Sequence, residues 1–213
     1  MTTMTRWWFV RHGPVPGYEG RLYPDDQVAA DVGDRAAFAV LAGRLPAGAQ
    51  WLTSGLRRAE QTAEAILAAG AEAAEMAVEP DLAEQEFGAW RGQSYDQIIE
   101  AARLAGDEVL LRRMMAAPAR VRPPEGESFA DLMARVGRLL QRRSAAAGGR
   151  DIVAVAHGGT VRAALAHALG LNADRGLAFA VDTLSTTRID YVRTPLDGGT
   201  VTWRVVFHNL RPR

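Results

Sequence analysis

Residues 150–165 read RDIVAVAHGGTVRAAL, and residues 5–20 read TRWWFVRHGPVPGYEG. In the first stretch the run Ile152–Ala156 is wholly apolar, is bounded by Asp151 and by glycines, and is too short for a helix. A strand with no polar face belongs to a parallel sheet covered on both sides. HGGT then leads directly into a helix, expected over 160–169. In the second stretch residues 5–10 are equally brief, apolar and rich in strand-forming aromatics, and they stop at RHG. Each strand thus ends at a histidine followed by glycine, which lets the backbone turn. Ligands of open parallel sheets sit beyond the carboxyl ends of the strands, so His12 and His157 are expected to share one edge.

The rest of the chain alternates in the same way. Residues 34–45 read as a helix, AQWLTS (49–54) as a second short strand, and RRAEQTAEAILAA (57–69) as a helix of strong helix formers with apolar residues at helical spacing. AVEP (77–80) is a short edge-like segment. Residues 92–126 are polar, then helical, then proline-rich, and interrupt the alternation, so they read as an inserted cap or lid. Ser128, with Asp131 three residues on, marks the start of a helix running to about Ala147. Strands near 184–193 and 200–208 form a C-terminal hairpin around LDGG. Trp7 and Trp8 alternate across the first strand and are assigned to the core and to packing against a flanking helix. The expected fold is an α/β three-layer sandwich, a mostly parallel sheet flanked by helices, with residues 1–213 as one domain and the cap inserted at about 92–126.

Composition narrows the function. Acidic and basic residues balance at 25 each, which does not favour a nucleic-acid partner, whose phosphates require a basic face. The absence of cysteine excludes disulfides, thiolate-held metals, iron–sulfur clusters and thiol nucleophiles. No run approaches the roughly 18 apolar residues of a membrane span, and no basic-then-apolar leader opens the chain, so a cytoplasmic protein with no membrane partner is expected. HExxH and P-loop patterns are also absent, and no metal or cofactor is expected.

A histidine at a strand end is commonly a hydrogen-bonded structural residue. Repetition argues otherwise, because a core needs no such pair. A neutral imidazole attacks phosphorus when one ring nitrogen is pinned as a donor and the other presents its lone pair, a role open to His12. The helix start at HGGT offers free N–H groups to an anion. Attack on a phosphate monoester also calls for fixed cations, and guanidinium groups supply them. Arg11 adjoins His12, and Arg58 follows the second strand in TSGLRRAEQTA, where its other reading is a solvated first-turn arginine.

Five ordered blocks, VRHG, SGLRRAEQTA, LAEQEFGAWRG, GES and VAHGGTVRA, resemble the histidine phosphatase superfamily, and in particular its phosphoglycerate-mutase-like branch. The resemblance covers residues 5–170 and continues more weakly through VDTLSTTRI. It implies that His12 carries a phosphohistidine intermediate, that Arg11 and Arg58 bind the phosphoryl group, and that His157 completes the pocket. The proton donor falls on Glu84. On the residues alone, EPDLAEQE offers several loop acids and Glu84 is not singled out; Glu86 is the alternative. A carboxylic acid near the site is useful because a departing alkoxide needs a proton, and the same group can then deprotonate water.

The pattern also departs from the family's. Many relatives follow RHG with Glu-Thr or Glu-Ser and later a phosphate-binding Asn; here Pro14, Val15 and Pro16 intervene, and Gly17 or Tyr18 stands in that place. Tyr18 or a backbone N–H is the expected substitute. DTLS (182–185) likewise replaces the usual D-N-x-S. Ser128 is explained by helix capping. His167, within a helix, and His208, in the hairpin, are read as ordinary, and Arg112, Arg113, Arg120 and Arg122 either form a solvated face of the cap or recognise a second anionic group. The leading expectation is a metal-independent phosphomonoesterase acting on a small phosphorylated metabolite. A cofactor-dependent phosphoglycerate mutase is second, disfavoured by the short insert and altered first loop, and a non-catalytic phospho-ligand-binding protein is third. Oligomeric state is open, with a homodimer as one option.

Overall fold

The computed structural model describes residues 1–195 and 199–213. Its order is β1 (Thr3–Arg11), α1 (Arg35–Arg44), β2 (Ala49–Thr53), α2 (Arg57–Ala68), β3 (Ala73–Val78), α3 (Tyr95–Leu104), α4 (Glu108–Ala116), α5 (Phe129–Ala147), β4 (Ile152–Ala156), α6 (Gly158–Ala168), α7 (Ala173–Gly176), β5 (Thr186–Arg193) and β6 (Val201–Leu210). The strands form one six-stranded sheet in the order β3-β2-β4-β1-β5-β6. Pairings from β3 through β1 are parallel, and β5 and β6 add antiparallel neighbours. The sheet is therefore mixed and mostly parallel. The expected C-terminal hairpin appears as the β5–β6 pairing, but Leu196–Gly198 of its LDGG turn lie outside the described residues.

Both faces of the sheet are covered, as the apolar run of β4 requires. Ile152, Ala154 and Ala156 pack with Trp7, Phe9 and the α5 residues Leu132, Val136 and Leu139. Val153 and Val155 point the other way, against Val10, Trp51 and the α1 and α2 residues Leu41, Ala63 and Ile66. This two-sided burial is the period-2 rule applied to a strand with no solvent face. Trp7 is fully buried and donates from Nε1 to Ser144 Oγ at 2.8 Å, while Trp8 is only partly buried, against the second cluster.

Helix boundaries follow local chemistry. Asp34 caps α1 by accepting from Ala37 N, and Ser128 opens α5 with a capping box in which Asp131 answers the Ser128 N–H at 2.9 Å. Gly148, at φ 62°, closes α5 in the left-handed region that favours glycine. β3 begins before the expected AVEP segment. Its alanines and Glu75 carry no strand signal, and pairing with β2 decides the matter. Residues 92–126 hold α3, α4 and a short turn at Pro118–Arg120. No helix among the described residues is long and apolar enough to cross a membrane.

Candidate active site

Strand register brings the two histidines together. β1 and β4 run parallel with Arg11 beside Ala156, so both strands end at the same level, and the His12 N–H donates to the Ala156 carbonyl at 2.9 Å. The imidazole centroids of His12 and His157 stand 5.2 Å apart. β2 flanks β4 on its other side, with Thr53 beside Val155, and delivers Ser54 and then the first turn of α2, which carries Arg58.

Each imidazole is held by a specific partner. His12 is 1% exposed, and its Nδ1 lies 2.7 Å from the Gly13 carbonyl. A carbonyl only accepts, so Nδ1 carries the proton and Nε2 keeps its lone pair. Gly13 is itself fixed by its N–H on Thr62 Oγ1 at 2.9 Å, and a Cβ there would lie 2.8 Å from the Asp31 carbonyl. His157 is fully buried with Nε2 2.8 Å from Ser54 Oγ, and Ser54 Oγ also accepts from Leu56 N at 3.2 Å. Burial first, and then the charges of Arg58 and Arg11, push His12 down to about 3. His157 is lowered well below its ordinary value by burial and by His12, Arg58 and Arg11. Both rings are therefore neutral near pH 7, the state in which an imidazole is a nucleophile.

Two guanidinium groups surround them. Arg58 is 3% exposed and lies 4.7 Å over the Tyr23 ring. Arg11 is half-buried and donates from Nη1 to the Val181 carbonyl at 2.5 Å. Arg58 Nε and Nη1, Arg11 Nε and His157 Nδ1 are buried without a hydrogen-bond partner among the described residues. Buried cationic donors without acceptors are costly unless an anion meets them. A tetrahedral oxyanion matches that demand, and guanidinium forks suit it.

Glu84 approaches from the loop after β3. Its Oε2 accepts from the Gly159 N–H at 3.2 Å and its Oε1 from the Gln85 N–H at 3.0 Å. Thr160 Oγ1 donates to the Leu82 and Ala83 carbonyls at 3.0 and 3.1 Å, which ties this loop to the start of α6. Gly159 leaves room for this carboxylate, because a Cβ would come within 2.3 Å of Glu84 Oε1. Glu84, Arg58 and Tyr23 line one small cavity. Glu86 is engaged elsewhere. Arg91 donates to it at 2.8 and 2.5 Å, the Gly88 N–H adds a third bond, and these bonds hold its carboxyl below the usual range. Both acids line that cavity, but Glu84 is tied to the start of α6 beside His157, whereas Glu86 is tied to Arg91.

All five sequence-predicted site residues, Arg11, His12, Arg58, Glu84 and His157, converge here. Two contributors went unforeseen. Ser54 lies inside the SGLRRAEQTA block but carries no charge to mark it. Tyr23, from an aperiodic loop, packs on His12 at 5.8 Å between centroids and lies under Arg58. Tyr18, which with a backbone N–H is an expected substitute for the missing Asn, packs on Tyr23 at 6.0 Å between centroids.

Comparison with known proteins agrees with this geometry. The model of the histidine phosphatase superfamily (branch 1) matches residues 7–197. Bifunctional protein Rv2228c of Mycobacterium tuberculosis is 34% identical over 184 residues, covering 83% of this chain and 47% of its own length; the chain thus spans about half the length of that curated relative. Among solved structures, mycobacterial glucosyl-3-phosphoglycerate phosphatase Rv2419c in complex with inorganic phosphate superposes with TM-score 0.72 at 26% identity, over 97% of this chain and 98% of that one. Bacillus stearothermophilus YhfR shares the fold with TM-score 0.76 at 24% identity, over 97% of each chain. With its matched strand-end histidines and two pocket arginines, the chain belongs to the histidine phosphatase superfamily, branch 1.

Proposed function

We propose that the chain is a metal-independent phosphomonoesterase that works through a phosphohistidine at His12, with residues 1–213 forming one domain and 92–126 its cap. The observation that carries this reading is the neutral His12 with its proton on Nδ1, set beside His157 and two guanidiniums with unused donors. His12 Nε2 attacks phosphorus, and the bond to the alcohol oxygen breaks as Glu84, in its acid form, gives that oxygen a proton. Arg11 and Arg58 hold the equatorial oxygens as charge shifts among them. His157, with Ser54 directing its hydroxyl proton to Nε2, donates from Nδ1 to the same oxygens. Glu84, now a carboxylate, then takes a proton from water, which attacks phosphorus and frees His12 and inorganic phosphate. The similarity to a mycobacterial phosphatase solved in complex with inorganic phosphate supports a phosphoryl ligand.

The test is hydrolysis of p-nitrophenyl phosphate. Turnover is expected to persist in EDTA, to be blocked by vanadate and to vanish in His12→Ala. Full activity of that variant would remove His12 as the nucleophile. Rapid interconversion of phosphoglycerates with negligible hydrolysis would reassign the same phosphoenzyme to a mutase.

A further inference from the structure

A cavity of about 690 Å³ lies between residues 92–126 and α5 and α6. It lies beside the small cavity lined by Arg58 and Glu84: Gln85, the residue after Glu84, lines both. Tyr95, Ile99, Leu111, Met115, Phe129 and Leu177 furnish its wall. α4 contributes Leu111 and Met115, yet buries none of its residues, and Met115 is 87% exposed. An apolar helix face turned toward a cavity, and not packed into the core, is surface arranged for a ligand.

Three arginines line this cavity, Arg103, Arg112 and Arg162. Of Arg112, Arg113, Arg120 and Arg122, only Arg112 lines the cavity, and it donates to the Glu108 carbonyl at 3.2 Å. Arg113 and Arg122 line a separate cavity, and Arg122 pairs with Asp131 at 2.7 Å. Arg162, also at the wall, spends its Nε on the Phe179 carbonyl at 2.8 Å. Apart from these guanidiniums, Glu108 and Gln85, the wall is apolar or aromatic.

We infer that the alcohol half of the substrate is bulky and apolar, an aryl or alkyl group seated in this cavity while its phosphate meets His12, Arg11 and Arg58. The inference rests on the phosphatase reading above. A volume in the usual range for a drug-sized ligand far exceeds what a three-carbon phosphate ester fills. Burying several carbons there adds affinity that a polar alcohol forgoes.

Two readouts test it, one independent of turnover. By calorimetry, benzylphosphonate is expected to bind at least about tenfold more tightly than methylphosphonate. In hydrolysis, kcat/KM for 2-naphthyl phosphate is expected to exceed that for glycerol 2-phosphate and for 3-phosphoglycerate by at least about tenfold. Leu111→Gln, on a helix with no buried residue, should shrink both ratios severalfold. Equal binding of the two phosphonates, preference for 3-phosphoglycerate, or ratios unmoved by Leu111→Gln would overturn the inference. If no ester is turned over while the phosphonate preference holds, the apolar subsite stands and the hydrolase reading falls. If all esters are turned over equally and the phosphonates bind alike, the hydrolase stands and the apolar subsite falls.

Discussion

Gly159→Ala is expected to displace Glu84, the proposed proton donor, without touching His12, the proposed nucleophile. Gly159 sits in the first turn of α6, and its φ is not in the left-handed region, so alanine is conformationally acceptable and slightly favoured by helix propensity. The new Cβ would lie 2.3 Å from Glu84 Oε1 and 3.1 Å from Leu132 Cδ2, where real Cβ atoms keep at least 3.0 Å from such neighbours. The carboxylate must therefore retreat by roughly 0.7 Å, and displacement of a reacting group by about 1 Å costs on the order of 10²-fold, or about 2.7 kcal/mol of barrier. That loss should depend on the leaving group. Phenyl phosphate and alkyl phosphates need a proton on the departing oxygen and should lose about 10²-fold in kcat, whereas p-nitrophenyl phosphate, whose phenolate leaves readily, should lose severalfold at most. Initial rates across this series measure the effect, with vanadate inhibition and thermal melting showing that the phosphate pocket and fold persist. Equal loss on every ester, or no loss on any, would refute the placement of Glu84 as acid.

Stability should depend on pH through the buried imidazoles. His12 is lowered from 6.5 to about 3 on folding, so below pH 6.5 the unfolded chain takes up a proton that the folded chain refuses. Its contribution is thus present above pH 6.5 and is lost as pH falls toward about 3, at up to about 1.4 kcal/mol per pH unit. Urea midpoints of the parent chain should fall more steeply over this window than those of His12→Asn; parallel slopes would contradict the burial argument. Ser54→Ala removes the hydroxyl that orients His157. Loss of such an orienting partner should lower kcat/KM roughly 10- to 100-fold while p-nitrophenyl phosphate turnover still requires His12, and an unchanged kcat/KM would show the Ser54 contact to be incidental.

The sheet and its edge were legible because their signals are local. β1 and β4 announce themselves as short apolar runs closed by His-Gly, and parallel pairing alone is enough to place the two histidines side by side. Ser128 and Asp131 marked the start of α5 because a capping box is a fixed-spacing device. Glu84 was legible only through the family resemblance: it and Glu86 are neighbours of equal chemistry, and what separates them is tertiary, the Gly159 N–H on one and the Arg91 fork on the other. Tyr23 was hidden for the same reason, since the loop that seats it on His12 has no periodicity to read. β3 began earlier than its composition suggested because an edge strand draws its order from β2. The apolar wall of the large cavity was legible as helix but not as cavity, because the same leucine and methionine spacing also describes a helix packed into a core.

The most direct measurement is a crystal structure with vanadate. Vanadium bonded to Nε2 of His12, its oxygens held by Arg11, Arg58 and His157, is the predicted result. Vanadate bonded to His157, bound away from both imidazoles, or absent from this edge of the sheet at saturating concentration would contradict the account.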